Sequence, residues 1–115
     1  MKRVSLKLNY ESLDIILRLI KEQVLEGDSY KTLNPSNDYK LLSTLVVGHL
    51  GEIYAKYIGK TAFSFTGMRM ISLTPLQGFA LMIALQKDWI RSENAWTKNI
   101  LQINSDRLHK QLAHD

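Results

Sequence analysis

The chain has 115 residues, 45% hydrophobic and 23% charged, with only two prolines. That is the composition of a globular domain rather than of a disordered tract, at a length that buries a core without a disulfide or metal staple. It contains no cysteine, which excludes disulfides, thiolate nucleophiles and cysteine-ligated zinc, and leans towards a reducing compartment.

Residues 3–8, Arg-Val-Ser-Leu-Lys-Leu, alternate strictly, with Val4, Leu6 and Leu8 on one face and Arg3, Ser5 and Lys7 on the other. Period two predicts a half-buried strand. Asn9 then suits an N-cap, with Glu11 and Asp14 near the positive end of a helix dipole. Leu13, Ile16, Leu17, Ile20 and Val24 follow at helical spacing, so a first helix is expected over 10–26, with Gly27 as its stop.

A polar connection, 27–36, contains Asn34-Pro35. A second helix is expected from Asn37 to Ile58, ended by Gly59, with Leu42, Leu45, Val46, Ile53 and Tyr57 as its apolar stripe. Gly48, Gly51 and Ala55 form a ridge of small residues along it. An interior glycine costs a helix about 1 kcal/mol relative to alanine, so close approach of another element at that ridge is expected.

Residues 60–73 read as a β-hairpin. With Thr66-Gly67 at the turn, Phe65 faces Met68 and Phe63 faces Met70, collecting four large apolar side chains on one face of the ribbon. Threonine suits a tight primed turn poorly, and a four-residue loop keeps the same pairing. The sharpest boundary is Thr74-Pro75-Leu76-Gln77, a capping box with proline at the first helical position. The helix it opens is expected to reach Ile90, with Leu76, Phe79, Ala80, Ile83 and Ala84 as one stripe and Leu81, Met82 and Leu85 elsewhere around it. A helix apolar nearly all round belongs at the centre of a fold or under a partner subunit. A last helix is expected from Ser92 or Glu93, with Trp96, Ile100, Ile103 and Leu108 buried. The expected architecture is therefore one α+β domain over 1–115: about four helices, a small antiparallel sheet from strand 3–8 and hairpin 60–73, and helix 75–90 central.

Formal charge is +4, unevenly spread: residues 1–58 carry eight Lys and Arg against seven Asp and Glu, and residues 59–115 carry seven against four. No acidic residue lies between Glu52 and Asp88, where Lys56, Lys60, Arg69 and Lys87 fall. These four are a candidate anion-facing basic patch, although an apolar segment poor in charges of either sign gives the same pattern. Lys7, Asn9, Glu11 and Asp14 break any apolar leader after Met1-Lys2-Arg3. The longest apolar run, Phe79 to Leu85, is far short of the roughly 20 residues of a membrane span. A cytoplasmic location away from membranes is expected.

Motifs for chemistry are sparse. The glycines are too scattered for a dinucleotide or P-loop fingerprint, and no Gly-x-Ser-x-Gly elbow occurs. His49 and Glu52 share a helix face at a spacing used in four-helix carboxylate metal sites, but such sites need a second motif and further carboxylates. His109 and His114 lie near the C-terminal end. No metal, cofactor or catalytic residue is assigned. Tyr54 and Tyr57 beside Lys56 and Lys60 resemble the stacking platforms of single-strand binders, and the plainer assignment is Tyr57 in the core with Tyr54 at its boundary. Trp89 and Trp96 bracket the last inter-helix turn, where they pack a corner or mark a hot spot.

The N-terminal pattern, Arg3-Ser5-Lys7 against Val4-Leu6-Leu8 followed directly by a helix, resembles the start of ribbon-helix-helix DNA-binding proteins over about the first quarter of the chain. The resemblance implies a strand paired across a dimer, with Arg3, Ser5 and Lys7 reading bases in the major groove. The long first helix, the long connection after it and the added hairpin and helices depart from that family. Pairing of residues 3–8 with the 60–73 segment of the same chain is the competing arrangement. Function is expected to be that of a non-catalytic interaction or regulatory module, acting on another protein or on itself as a homodimer. A DNA-binding regulator is the first alternative, and a metal or small-molecule enzyme ranks last.

Overall fold

The alternating segment does form a strand, β1 (Val4–Leu8), and it pairs antiparallel with β2 (Arg69–Leu73) of the same chain. The structure is a computed structural model that describes residues 3–30 and 37–113, apart from the side chains of 25–43 and 90–91. Between and after the strands run α1 (Tyr10–Tyr30), α2 (Asn37–Tyr57), a short 3₁₀ turn (Ile58–Thr61), α3 (Pro75–Arg91) and α4 (Ala95–Ala113). The result is an α+β fold of four helices and a two-stranded antiparallel sheet.

The sheet register sets Val4 opposite Leu73, Leu6 opposite Ile71 and Leu8 opposite Arg69. Because side chains alternate across a strand, this puts Val4, Leu6, Leu8, Ile71 and Leu73 on one buried face. Ser5, Lys7, Met70 and Ser72 lie on the other. The buried face meets Leu13, Ile16, Leu17 and Ile20 of α1, Leu50 and Ile53 of α2, Leu81 and Leu85 of α3, and Leu101 and Leu108 of α4 in one continuous core. Gly78 brings α3 close to the sheet: a Cβ there would stand 3.4 Å from Val4.

Local caps fix where the helices begin. Asn9 Oδ1 accepts from the Ser12 N–H at 2.9 Å. Thr74 Oγ1 accepts from the Gln77 N–H while Gln77 Oε1 accepts from the Thr74 N–H, a complete capping box behind Pro75. Asn94 Oδ1 accepts from both Trp96 and Thr97 N–H groups to open α4.

Both edges of the small sheet are closed by side chains. Ser5 and Ser72 face each other with their backbone groups pointing away from the ribbon, as alternate pairs in an antiparallel ladder must. On one side the Gln111 amide mimics a strand: its Oε1 accepts from the Ser5 N–H at 2.9 Å and its Nε2 donates to the Ser5 carbonyl at 2.7 Å. On the other the Tyr57 hydroxyl accepts from the Ser72 N–H and donates to the Ser72 carbonyl, each at 2.8 Å. A row Gln111–Ser5–Ser72–Tyr57 thus seals a ribbon whose edges would otherwise invite another strand.

Several expectations are corrected. Residues 60–73 form no hairpin. Only 69–73 is extended, and the 60–65 arm is a 3₁₀ turn followed by irregular chain. Of the four side chains expected on the apolar face of that hairpin, Phe63, Met68 and Met70 are exposed, at 85%, 55% and 55%, and Phe65 packs against the core, whereas Ile71 and Leu73 are buried. Burying Ile71 and Leu73 beside β1 removes more apolar surface from water than a free-standing ribbon would. Gly67 holds a positive φ of 75°, but in a bend of the irregular chain before β2 rather than in a hairpin turn. Gly27 does not stop α1, which runs on to Tyr30. Among the described residues the Gly48–Gly51–Ala55 ridge is not a close-packed seam, since a Cβ at either glycine would meet none of them within 4 Å. Leu45, Leu76, Phe79, Trp96 and Ile103, expected inside, are all exposed. In α4 Leu108 is buried as expected, and its buried neighbours are Leu101, Asn104 and Ser105. Residues 31–36, with Asn34-Pro35, and the side chain of Leu42 lie outside the described residues. Among the described residues no helix is long and apolar enough to cross a membrane.

Candidate functional site

Arg3, Ser5 and Lys7 do share the outward face of the sheet. Arg3 is exposed and its guanidinium donates to Ser72 Oγ at 2.7 Å and to the Ser72 carbonyl at 3.3 Å. Ser5 is half-buried and its backbone is held by Gln111, while Lys7 is exposed opposite Met70. A ribbon-helix-helix arrangement needs β1 free to pair with its copy in a dimer. Here one edge of β1 holds β2 and the other meets Gln111 and Arg107 of α4, Arg107 donating to the Lys7 carbonyl at 3.5 Å.

The four candidate patch residues do not form one patch. Lys56 and Lys60 converge on Tyr57, their ammonium groups 5.2 and 5.6 Å from its ring centre. Arg69 stacks 5.1 Å from the centre of Phe65, which in turn meets Tyr10 edge-on at 5.6 Å. Lys87 is separate: it lies about 18 Å along α3 from Pro75 at 1.5 Å per residue, and its Nζ reaches Gln23 Oε1 at 3.5 Å. Tyr57 is core, as the plainer assignment had it, and its hydroxyl serves the sheet edge. Tyr54 packs against the core's margin. Trp89 packs there too, with Lys98 over its ring at 5.8 Å.

His49 and Glu52 do meet, Nδ1 to Oε1 at 3.7 Å, but Glu52 also accepts from Gln77 Nε2 at 2.8 Å, a bond that ties α2 to the start of α3. Among the described residues no group of three His, Asp or Glu side chains could hold a metal ion. The arrangement is that of a helix-to-helix clamp.

Two concavities are lined by described residues. A cleft of about 370 Å³ between α1 and the α3–α4 corner is lined by residues that include Arg18, Glu22, Asp88 and Leu101. Of its charged groups, Arg18 pairs with Asp14 at 3.1 Å and Asp88 accepts from Gln23 Nε2 at 3.0 Å. The second is a groove of about 160 Å³ where the end of β1, the first turn of α1 and α4 come together. Lys7 and Arg107 bring positive charge to it, and Met68, Ile100 and Ile103 bring apolar surface. Asn104 also lines it. This residue is only 3% exposed, its Nδ2 donates to the Ile100 carbonyl at 2.9 Å, and its Oδ1 has no hydrogen-bond partner.

Comparison with protein-family models, curated proteins and solved structures found no match. The site residues that sequence reasoning missed are Met68, Asn104 and Arg107. Met68 was assigned to a hairpin interior. Asn104 and Arg107 belong to a helix whose polar positions carry no local sign of which ones face the sheet.

Proposed function

We propose that the chain is a protein-interaction or regulatory module, cytoplasmic and without catalysis of its own, that binds another protein through the exposed apolar side chains around its sheet. The observation that carries this reading is the apolar material left outside a filled core. Met68 and Met70 are each 55% exposed and flank Arg69, and Phe63 is 85% exposed on the loop leading to them. Scattered exposed hydrophobics are ordinary, but these lie within one short segment, and Met68 shares a groove with Ile103 of α4. Exposed apolar side chains gathered in this way mark protein contacts in folded domains. The cysteine-free composition supports the reducing, cytoplasmic setting.

Site-specific photo-cross-linking inside cells tests the proposal. A benzophenone side chain placed at Phe63 or Met70 should yield a discrete protein adduct, either a second copy or a different chain. The same group at Gln86, exposed near the other end of α3, should not. Equal labelling from all three positions, or adducts to nucleic acid alone, would defeat the reading.

A further inference from the structure

We infer that the groove beside Met68 receives an acidic segment of a partner protein, a finer reading that rests on the interaction role proposed above. Lys7 and Arg107 stand on its walls, and no ion pair among the described residues involves either. Arg3 adds a third cation on the same outward sheet face as Lys7. Glu11 and Asp106 lie on adjoining turns but bridge to none of these three. Asn9 and Ser12, also in the lining, belong to the start of α1, where the helix dipole adds positive potential. An incoming carboxylate therefore meets charge of the opposite sign from three elements at once.

A second, independent observation is the apolar surface beside the charges, since Met68 and Ile103 line the same groove as Lys7 and Arg107. A peptide brings a carboxylate side chain for Lys7 and Arg107. Met68, Met70 and Ile103, exposed around the charges, then receive the apolar side chains flanking the acid.

The same features separate this occupant from the others. A second copy docking about a two-fold axis sets the patch against itself, placing Lys7 and Arg107 opposite Lys7 and Arg107. Nucleic acid would engage the cations but leave the two methionines and Ile103 against phosphates and sugars, where they gain little. An acidic protein segment with apolar flanks uses all of them.

The test is panning of a displayed random-peptide library on the whole folded chain, followed by affinity measurement with the enriched peptides. Enriched peptides should carry Asp or Glu beside Leu, Ile or Phe. Lys7→Glu with Arg107→Glu should weaken them by about ten-fold or more, and Met68→Ser with Ile103→Ser should weaken them several-fold. Circular dichroism confirms that each variant is folded. Should the charge reversal unfold the chain, Lys7→Ala with Arg107→Ala supplies the same comparison. Enriched peptides that are neutral or basic, or acidic peptides indifferent to both sets of substitutions, overturn the inference. So does self-association blocked by the charge reversal, or binding of a duplex DNA probe that the peptides do not displace. If cross-linking from Phe63 and Met70 captures a protein that the peptides fail to displace, the interaction role stands and the groove assignment falls.

Discussion

Replacing Tyr57 by phenylalanine tests the sealed sheet edge with almost no change in packing volume. Tyr57 is 4% exposed, so its ring stays in place and only the hydroxyl is removed. That hydroxyl holds both backbone groups of Ser72 at 2.8 Å. Each intramolecular hydrogen bond contributes about 0.5–1.5 kcal/mol net, and unsatisfied buried groups cost more. Ser72 is only half-buried, so water recovers part of the loss, and a total near 2 kcal/mol follows from about 1 kcal/mol per bond. With an unfolding entropy of about 2.1 cal/mol/K per residue, the 115-residue chain unfolds with roughly 240 cal/mol/K, and Tm should fall by about 8 °C. The assay is thermal and urea unfolding of Tyr57→Phe beside Tyr10→Phe. The Tyr10 hydroxyl has no hydrogen-bond partner among the described residues, so its removal should cost little. A Tyr57→Phe protein as stable as wild type, or a Tyr10→Phe protein equally destabilised, would refute the edge-sealing argument.

Three further substitutions probe the helices. Gly48→Ala and Gly51→Ala each place a methyl group where none of the described residues lies within 4 Å, so each should stabilise by about 0.4–1 kcal/mol, read as a raised urea midpoint. A fall in stability would mean that this face of α2 is covered in solution. Thr74→Ala removes the acceptor for the Gln77 N–H and should cost about 1 kcal/mol in the same assay, and an unchanged midpoint would deny the cap its role.

Elements announced by local chemistry were legible in the sequence. Asn9, the Thr74-Pro75-x-Gln77 box and the β1 alternation each act over a few residues, and each lies where its pattern put it. What failed was the choice of which apolar side chains go inside. In α4 the buried side includes Asn104 and Ser105, so hydropathy alone favoured Trp96 and Ile103, both of which face solvent. In the 60–73 segment the phenylalanine–methionine pairs outweighed Ile71 and Leu73 as a guide, although burial against β1 decided the outcome. The edge seals are invisible locally because Gln111 and Ser5 are 106 positions apart. The groove was hidden for the same reason: it exists only once β1, α1 and α4 meet. Arg3, Ser5 and Lys7 were correctly placed on one face, and pattern alone did not reveal that both edges of their strand are occupied.

Methionine-methyl NMR gives the most direct view of the proposed docking face, because the chain carries its own reporters and its own control. Met68 and Met70 are exposed and Met82 is 8% exposed in the core. On addition of the protein captured through Phe63, the Met68 and Met70 methyl signals should shift while Met82 holds its position. Unmoved Met68 and Met70 signals in a mixture that does form a complex would contradict the account.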